Sequence, residues 1–233
     1  MKVVILCGGK GIRAFPFTEY LPKPMLPVAG SPIIMHVVRN FLAQGYHDFV
    51  LAAGYRKDVL YDYFDGKEVG GTVEIIDTGD ETDTGGRVKR CKEHLGDSFI
   101  VTYSDGLCDV PLAKLVEFHN SHEGLATITS VPMFSQYGIL DVNSDGRILS
   151  LREKPTLYEH WINAGFIVFD KEVFDHWQGE NLESDVFPHL IAEGLAYTYR
   201  HVGFFKSLDS YKDQREFEDI MKDGVLPDRK SVV

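Results

Sequence analysis

Apolar and polar positions change rhythm about half-way along this chain. Residues 2–7 (KVVILC) are a short run of β-formers that stops at Gly8-Gly9, the pattern of a buried first strand with a glycine loop at its carboxyl end. Over 31–44 the apolar residues Ile34, Val37, Val38, Phe41 and Leu42 recur at helical spacing. Ser31 offers an N-cap there, Pro32 suits the first helical position, and Gly45 ends the run. Strands are expected at 48–53, 72–76 and 98–103, and helices at 56–64, 86–95 and 111–122, the last with Asp109 in its cap region. This alternation predicts a parallel, doubly wound α/β sheet. From about residue 125 strands dominate: 126–131, 138–142, 147–153 and 164–170, with Asn143-Ser144-Asp145-Gly146 as a hairpin turn. A helix over 183–193, a strand or strand pair over 196–206 and a helix over 209–222 complete the pattern. No repeat or linker-like run divides the chain. Residues 1–225 therefore read as one domain with halves 1–124 and 125–225, the second a smaller β-rich lobe on the same sheet, and 226–233 as a disordered tail.

Composition changes this picture little. The 233 residues are 44% hydrophobic and 25% charged, which supplies enough apolar surface for a core and excludes disorder throughout. No run of about 18 apolar residues suggests a membrane helix, and MKVVILCGGKG lacks the longer apolar region and cleavage site of a secretory signal. Three cysteines without a CxxC (Cys7, Cys91 and Cys108) fit a reducing cytoplasm better than a disulfide framework or a cysteine-rich zinc site. The net charge of −11 argues against nucleic-acid binding. Its distribution is uneven: residues 1–30 hold Lys2, Lys10, Arg13 and Lys23 against Glu19 alone. Cations gathered around a glycine-rich segment of an acidic chain suggest a local anion site, with chance clustering as the plain alternative.

The candidate chemistry starts in that segment. Gly8-Gly9-Lys10-Gly11-Ile12-Arg13 matches neither GxxxxGK[ST] nor GxGxxG, which disfavours a P-loop and a dinucleotide fingerprint. Glycines there let backbone N–H groups approach a phosphate, although a tight structural turn needs glycines too. Lys23 is framed by Pro22 and Pro24, which fix the backbone on either side of it. A rigidly held ammonium and a guanidinium beside a nest of N–H groups suit a polyphosphate. Asp105 lies at the carboxyl end of the 98–103 strand, where ligands bind in open α/β sheets, and could hold Mg²⁺. Asp109 and Asp209 are further carboxylate candidates, and on cap preference alone Asp209 reads as the N-cap of the 209–222 helix. Thr82, Gly85, Gly86 and Arg87 form a second glycine–arginine corner opening a helix, where free N–H donors could meet an anion or a base carbonyl. The nine histidines show no HExxH or other metal-ligand spacing, and no GxSxG or cysteine–histidine arrangement suggests covalent catalysis.

Together these segments resemble the sugar-1-phosphate nucleotidylyltransferases, whose N-terminal motif reads GGxGTR…PKP. DTGDETDTGGRVKR (77–90) is similar to the glucose-1-phosphate cytidylyltransferase branch, and the likeness runs on through YSDG (103–106), REKP (152–155), INAGFIVF (162–169) and SLDS (207–210). The resemblance implies a Rossmann-like mixed sheet of the nucleotide-diphospho-sugar transferase type. It implies condensation of CTP with a sugar 1-phosphate, giving a CDP-sugar and pyrophosphate, with Mg²⁺ as cofactor. By the same resemblance Arg13, Lys23 and Asp105 are catalytic, and Asp105 and Asp209 hold the metal. Leu6, Gly8, Gly9, Gly11, Arg13, Lys23, Thr82, Gly86, Arg87 and Ser104 bind the nucleotide; Glu153, Lys154, Asn163 and Gly165 bind the acceptor. Homo-oligomerisation is left open.

Three features depart from the family pattern. Ile12 stands for the threonine of GxGTR, Ser104 for the glycine of YGDG, and the stretch between Phe64 and Asp77 is short where the glucose-1-phosphate enzymes carry an insert that helps build their oligomer. Two rival readings follow: a cytidylyltransferase for another phosphorylated or phosphonylated small molecule, and a non-catalytic nucleotidyltransferase-like regulatory subunit. A non-catalytic chain is expected to lose its lysine or its metal carboxylates, whereas Lys23, Arg13, Asp105 and Asp209 are all retained.

Overall fold

A computed structural model describes residues 1–11 and 17–221; Ile12, Arg13 and the tail 226–233 lie outside the described residues. In chain order the elements are β1 (Lys2–Leu6), a two-strand ribbon of β2 (Pro27–Val28) and β3 (Ser31–Pro32), α1 (Ile33–Leu42), β4 (Asp48–Ala53), α2 (Lys57–Phe64), β5 (Thr72–Asp77) and α3 (Thr84–Arg90). There follow β6 (Ser98–Tyr103), β7 (Gly106–Cys108), α4 (Leu112–His119), β8 (Ala126–Phe134), β9 (Ile139–Val142), β10 (Ile148–Arg152) and β11 (Thr156–Asp170). Last come α5 (Phe187–Ala192), β12 (Ala196–Arg200), β13 (Phe205–Ser207) and α6 (Tyr211–Ile220).

Seven strands form one sheet in the order β12-β8-β11-β6-β1-β4-β5. The first-half strands β6, β1, β4 and β5 run parallel, as the alternation predicts. The β-rich second half extends this sheet, with β11 antiparallel to both β6 and β8. Both faces of the sheet are covered, so alternate residues of each central strand feed different cores. Val3, Ile5, Ile100, Phe166 and Val168 pack with Ile34, Val37, Val38 and Phe41 of α1. Val4, Leu6, Phe99, Val101, Ile167 and Phe169 pack with Val88 of α3 and Leu190 of α5. The chain leaves β1 toward β4 on one side and β6 on the other, so the carboxyl ends of β1 and β6 flank a topological switch point.

Several element boundaries move. α1 starts at Ile33, and Ser31 is not its N-cap: Ser31–Pro32 pairs with Pro27–Val28 across a tight turn in which Ala29 and Gly30 both take positive φ. α4 starts at Leu112 behind Pro111, and the N–H of Leu112 donates to Gln44 Oε1 at 2.9 Å; Asp109 plays no part in the cap. The 86–95 helix is α3 from Thr84 to Arg90, capped by Asp83, followed by a 3₁₀ turn at Lys92–His94. The 183–193 helix opens as a π turn, Leu182–Val186, capped by Asn181. α6 is capped by Ser210 in a capping box with Asp213, which leaves the Asp209 carboxylate available for another role.

Candidate active site

The glycine turn after β1, the loop after β5 and the segment after β6 enclose an open cleft of about 200 Å³ at the switch point. Leu6, Gly8, Gly9, Gly11, Lys23, Thr82, Arg87, Ser104 and Asp105 all line it, so residues up to 99 positions apart converge, while Gly86 is not among the lining residues. Cys7, Pro24, Asp83, Thr84 and Tyr103 complete the lining. Burial pushes the thiols of Cys7, Cys91 and Cys108 well up from their ordinary range, the latter two to about 12, so none of them is a thiolate at neutral pH.

Lys23 is the centre of the arrangement. It begins the 3₁₀ turn Lys23–Met25, closed by Met25 N–H to Pro22 O at 2.8 Å and Leu26 N–H to Lys23 O at 3.1 Å. Gly11, at φ 62°, sits over its stem; a Cβ there would lie 2.9 Å from Lys23 Cβ. The side chain is buried, and its ammonium donates to Asp105 Oδ2 in a short contact and to Asp209 Oδ1 at 2.9 Å. Ser207 Oγ donates to Asp209 Oδ2 at 2.9 Å, and Leu208 N–H to Asp105 O at 2.9 Å, so the segment after β13 brings Asp209 to Lys23 from the far end of the chain. Two carboxylates thus face one buried cation. Their hard oxygen donors fit a hard divalent ion, which takes one or two carboxylates together with phosphate oxygens.

The basic excess of the first 30 residues is not a bare positive patch. Lys2 lies 3.9 Å from Glu74, Lys10 lies 2.6 Å from Glu81, and Lys23 has its two aspartates. Each described cation of that segment meets acids supplied from beyond residue 70.

Arg87 forms the wall opposite. It is buried, and its guanidinium donates to Gly8 O (2.9 Å), Gly79 O (2.7 Å), Thr78 Oγ1 (2.7 Å), Ala53 O (3.3 Å) and Asp80 O (3.3 Å). Gly8 and Gly54 leave room for it, since a Cβ at either would run into the guanidinium. Arg87 therefore ties the glycine turn to the loop after β5. The α3 corner is also engaged by protein: the Gly86 N–H donates to Glu180 O at 2.8 Å, and the Thr84 N–H to Asp83 Oδ1 at 2.7 Å. These donors are not free for an anion, as a bare helix start would leave them. Thr82 Oγ1 donates to Thr78 O and accepts from Arg90 Nη1, both at 2.5 Å.

Sequence patterns missed the partner that the second half brings to this corner. Glu183, on the π turn, accepts from the Tyr103 hydroxyl in a short contact and from Thr84 Oγ1 at 3.2 Å. The Tyr103 phenol is held well above its ordinary range, first by burial and then by Glu183. Asn163 also hydrogen-bonds it, and Gly165, at φ 74°, lets the backbone pass against the ring, where a Cβ would collide. The sequence signal was Asn181 two residues before Glu183, an N-cap motif, but nothing local says what the carboxylate will face. Glu153 and Lys154 stand exposed at the foot of the β9–β10 hairpin, 3.9 Å apart, with Lys154 at φ 45°; neither lines the cleft. Asp109 is engaged elsewhere: its Oδ1 meets His201 Nε2 at 2.5 Å, with Cys108 beside them.

A family profile described as "Nucleotidyl transferase" matches residues 2–211. A Bacillus subtilis protein named "Probable glucose-1-phosphate cytidylyltransferase" is 32% identical over 96% of this chain and 97% of its own length. The Salmonella typhimurium "Glucose-1-phosphate cytidylyltransferase" is 31% identical over 97% and 98%. A Dictyostelium discoideum "Mannose-1-phosphate guanylyltransferase catalytic subunit beta" is 32% identical over 91% of this chain and 62% of its own. Among solved structures, HddC of Yersinia pseudotuberculosis superposes with a TM-score of 0.75 at 23% identity, covering 95% of this chain and 99% of that one, which shows a shared fold.

Proposed function

The chain belongs to the nucleotidyl transferase family, and from that premise we propose that it condenses CTP with a sugar 1-phosphate, glucose 1-phosphate by its relatives' names, to give a CDP-sugar and pyrophosphate. The observation that carries this reading is the buried Lys23 ammonium fixed between Asp105 and Asp209 beside the glycine turn. A phosphate oxygen of the acceptor bonds to the α-phosphorus of CTP, the bond to the bridging oxygen breaks, and pyrophosphate leaves with the electron pair. The attacking oxygen is already anionic near neutral pH, because a phosphate monoester's second pKa is about 6. No general base is needed, so the task is to bring two polyanions together and hold them in line.

The cleft is arranged for that task. The turn at Gly8, Gly9 and Gly11 presents backbone to the triphosphate, and Lys23, held by its turn and by two carboxylates, needs no reorganisation to meet the α-phosphate. Arg13 is assigned to the leaving β,γ-phosphates by its place in the motif. Asp105 and Asp209 are the residues that would hold Mg²⁺, whose charge offsets that of the phosphates. By their places in the motifs, Leu6, Thr82, Gly86, Arg87 and Ser104 are assigned to the nucleotide and Glu153, Lys154, Asn163 and Gly165 to the acceptor, which would have to reach beyond the cleft lining to meet Glu153 and Lys154. This assigns residues 1–124 mainly to the nucleotide and 125–225 mainly to the acceptor. Three free, buried cysteines support a reducing, cytoplasmic setting, and no helix among the described residues is long and apolar enough to cross a membrane.

The test is pyrophosphate release with each of the four nucleoside triphosphates against a panel of phosphorylated acceptors, with and without Mg²⁺. Release with CTP and glucose 1-phosphate is expected. Release with GTP and mannose 1-phosphate, or with another phosphorylated or phosphonylated acceptor, would reassign the substrates. Silence with every pair would leave only nucleotide binding.

A further inference from the structure

We propose that Cys108, Asp109 and His201 form a zinc site that clips β7 to the segment joining β12 and β13. Although 92 positions separate Asp109 from His201, the Cys108 sulfur, an Asp109 carboxylate oxygen and a His201 ring nitrogen all lie within 4.8 Å of one another. Each side chain leaves a backbone that is fixed independently of the others. Cys108 pairs with Phe205 in the β7–β13 ladder, and its carbonyl accepts from Asn40 Nδ2 at 2.9 Å. The Asp109 N–H donates to Phe204 O at 3.2 Å, and the His201 N–H to Ser130 O at 2.8 Å. Gly203 makes the close approach possible, since a Cβ there would come within 2.2 Å of both Asp109 Oδ1 and His201 Nε2. Hydrogen-bonded backbone thus delivers three metal-ligating groups to one point, as a preorganised site requires.

The donor set selects the ion. Sulfur, imidazole nitrogen and carboxylate oxygen are all zinc ligands, whereas Mg²⁺ and Ca²⁺ take oxygen. A thiolate, a carboxylate and a neutral imidazole carry two negative charges, which a divalent cation cancels where Cys108 is fully buried. The Asp109 and His201 side chains are 29% and 12% exposed, so the ion would enter from their side and keep a water as fourth ligand. The Val110 N–H donates to Cys108 Sγ, the kind of outer bond that steadies a metal-bound thiolate. Without a metal, His201 Nε2 meets Asp109 Oδ1 at 2.5 Å. Donors about 2.0–2.1 Å from a tetrahedral zinc lie about 3.3 Å apart, so this pair opens by about 0.8 Å. On binding, the Cys108 S–H bond breaks and its proton leaves to solvent as the Zn–S bond forms. His201 binds through Nε2 and keeps its proton on Nδ1. The place in the fold gives the clip its use. β7 and β13 form a two-stranded ribbon outside the main sheet, and such a ribbon is marginal alone. Asp105 precedes β7 and Asp209 follows β13 at one end, and the Cys108–Asp109–His201 group sits at the other. A metal clip closing so long a loop restricts the unfolded chain strongly, and it steadies the strands that carry both cleft aspartates. This inference does not depend on the reaction proposed above.

The full chain, stripped with EDTA, loaded with Zn²⁺ or Co²⁺ and freed of unbound metal, tests it. One zinc per chain is expected, with a thiolate-to-cobalt charge-transfer band in the near ultraviolet. Cys108→Ser should abolish the band. His201→Asn should weaken zinc binding by at least about 100-fold, the upper end of what losing even a ligand's outer partner costs. Asp209→Asn should keep both signals, which separates this site from the cleft carboxylates. Zinc should also raise the urea midpoint of the wild-type chain, a reading that needs no variant. A wild-type chain that retains no zinc and shows no band, or whose midpoint zinc leaves unmoved, overturns the proposal. So does a folded Cys108→Ser variant that keeps the band, or zinc that is lost with Asp209→Asn.

Discussion

Lys23 and Arg87 are both buried cations, and the difference between them is what surrounds the charge. Arg87 is saturated by five neutral acceptors, and burial lowers its pKa from the usual arginine value. Its charge is spread over carbonyls that close the glycine turn onto the loop after β5, which is structural work. Lys23 instead faces two aspartate side chains and lines a cleft, where an incoming phosphate can share its charge. Lys23→Ala is therefore expected to lower turnover by at least about 100-fold, comparable to the loss of one preorganised oxyanion donor, with little change in nucleotide KM. Pyrophosphate release at saturating CTP measures it, and an unchanged kcat would remove Lys23 from the chemistry. Arg87→Met should behave differently. It orphans acceptors in a buried site, so a loss of about 3 kcal/mol or more in stability is expected from urea unfolding, together with a raised CTP KM. A raised KM at an unshifted urea midpoint would mean instead that Arg87 touches the nucleotide directly.

At the level of elements, the chain was most legible where periodicity and burial agree. The 48–53 and 98–103 strands fall at Asp48–Ala53 and Ser98–Tyr103, and the stripe Ile34, Val37, Val38, Phe41 is the buried face of α1. The cleft lining was legible through motifs, because the turns after β1 and β6 bring consecutive residues to it. What was not legible depends on partners far away in sequence. Ser31 has the chemistry of a cap, but an antiparallel ribbon uses its backbone first. Glu183 reaches Tyr103 across 80 positions, and no local pattern encodes that meeting. Asp209 was ambiguous between capping and the cleft, and the ambiguity is resolved one residue on. Ser210 Oγ accepts from the Asp213 N–H at 3.3 Å, while the Asp213 carboxylate accepts from the Ser210 N–H at 2.8 Å. Because this box fixes the start of α6, it also fixes where Asp209 points. Ser210→Ala is expected to cost about 1 kcal/mol in urea unfolding. Its catalytic cost should exceed what that loss of stability explains, since Asp209 loses its mounting. A full loss of cap stability with unaltered turnover would uncouple the two.

Across the whole molecule, α4, β8 and β11 are joined by a chain of polar groups. The Gly124 N–H donates to His122 Nδ1 at 3.1 Å, so that nitrogen carries no proton and Nε2 does. His122 Nε2 then donates to Thr127 Oγ1 at 2.8 Å, and the same hydroxyl lies 2.8 Å from His119 Nδ1. His119 Nε2 faces Asp170 Oδ2 at 3.3 Å, within ion-pair range but without a hydrogen bond, and Ser98 Oγ–H donates to Asp170 Oδ1 at 2.6 Å. A proton added to His122 Nδ1 would meet the Gly124 N–H head-on. Burial, and then the charge of His119, accordingly lower the pKa of His122, and burial also lowers that of His36 beneath the ribbon. Both histidines bind a proton more weakly in the folded chain than in the unfolded one. Their contribution to stability is therefore complete above the unfolded value of about 6.5 and declines as pH falls below it. Carboxylates with depressed values, such as Glu216, act only in a more acid range, near and below their unfolded value of about 4.5. The urea midpoint should therefore fall between about pH 7 and pH 5.5, and His122→Asn should flatten part of that slope even if it lowers the plateau. A variant that keeps the full wild-type slope would place the proton uptake on His36 or elsewhere, and the Gly124 N–H held against His122 Nδ1 would no longer explain the acid sensitivity of the fold.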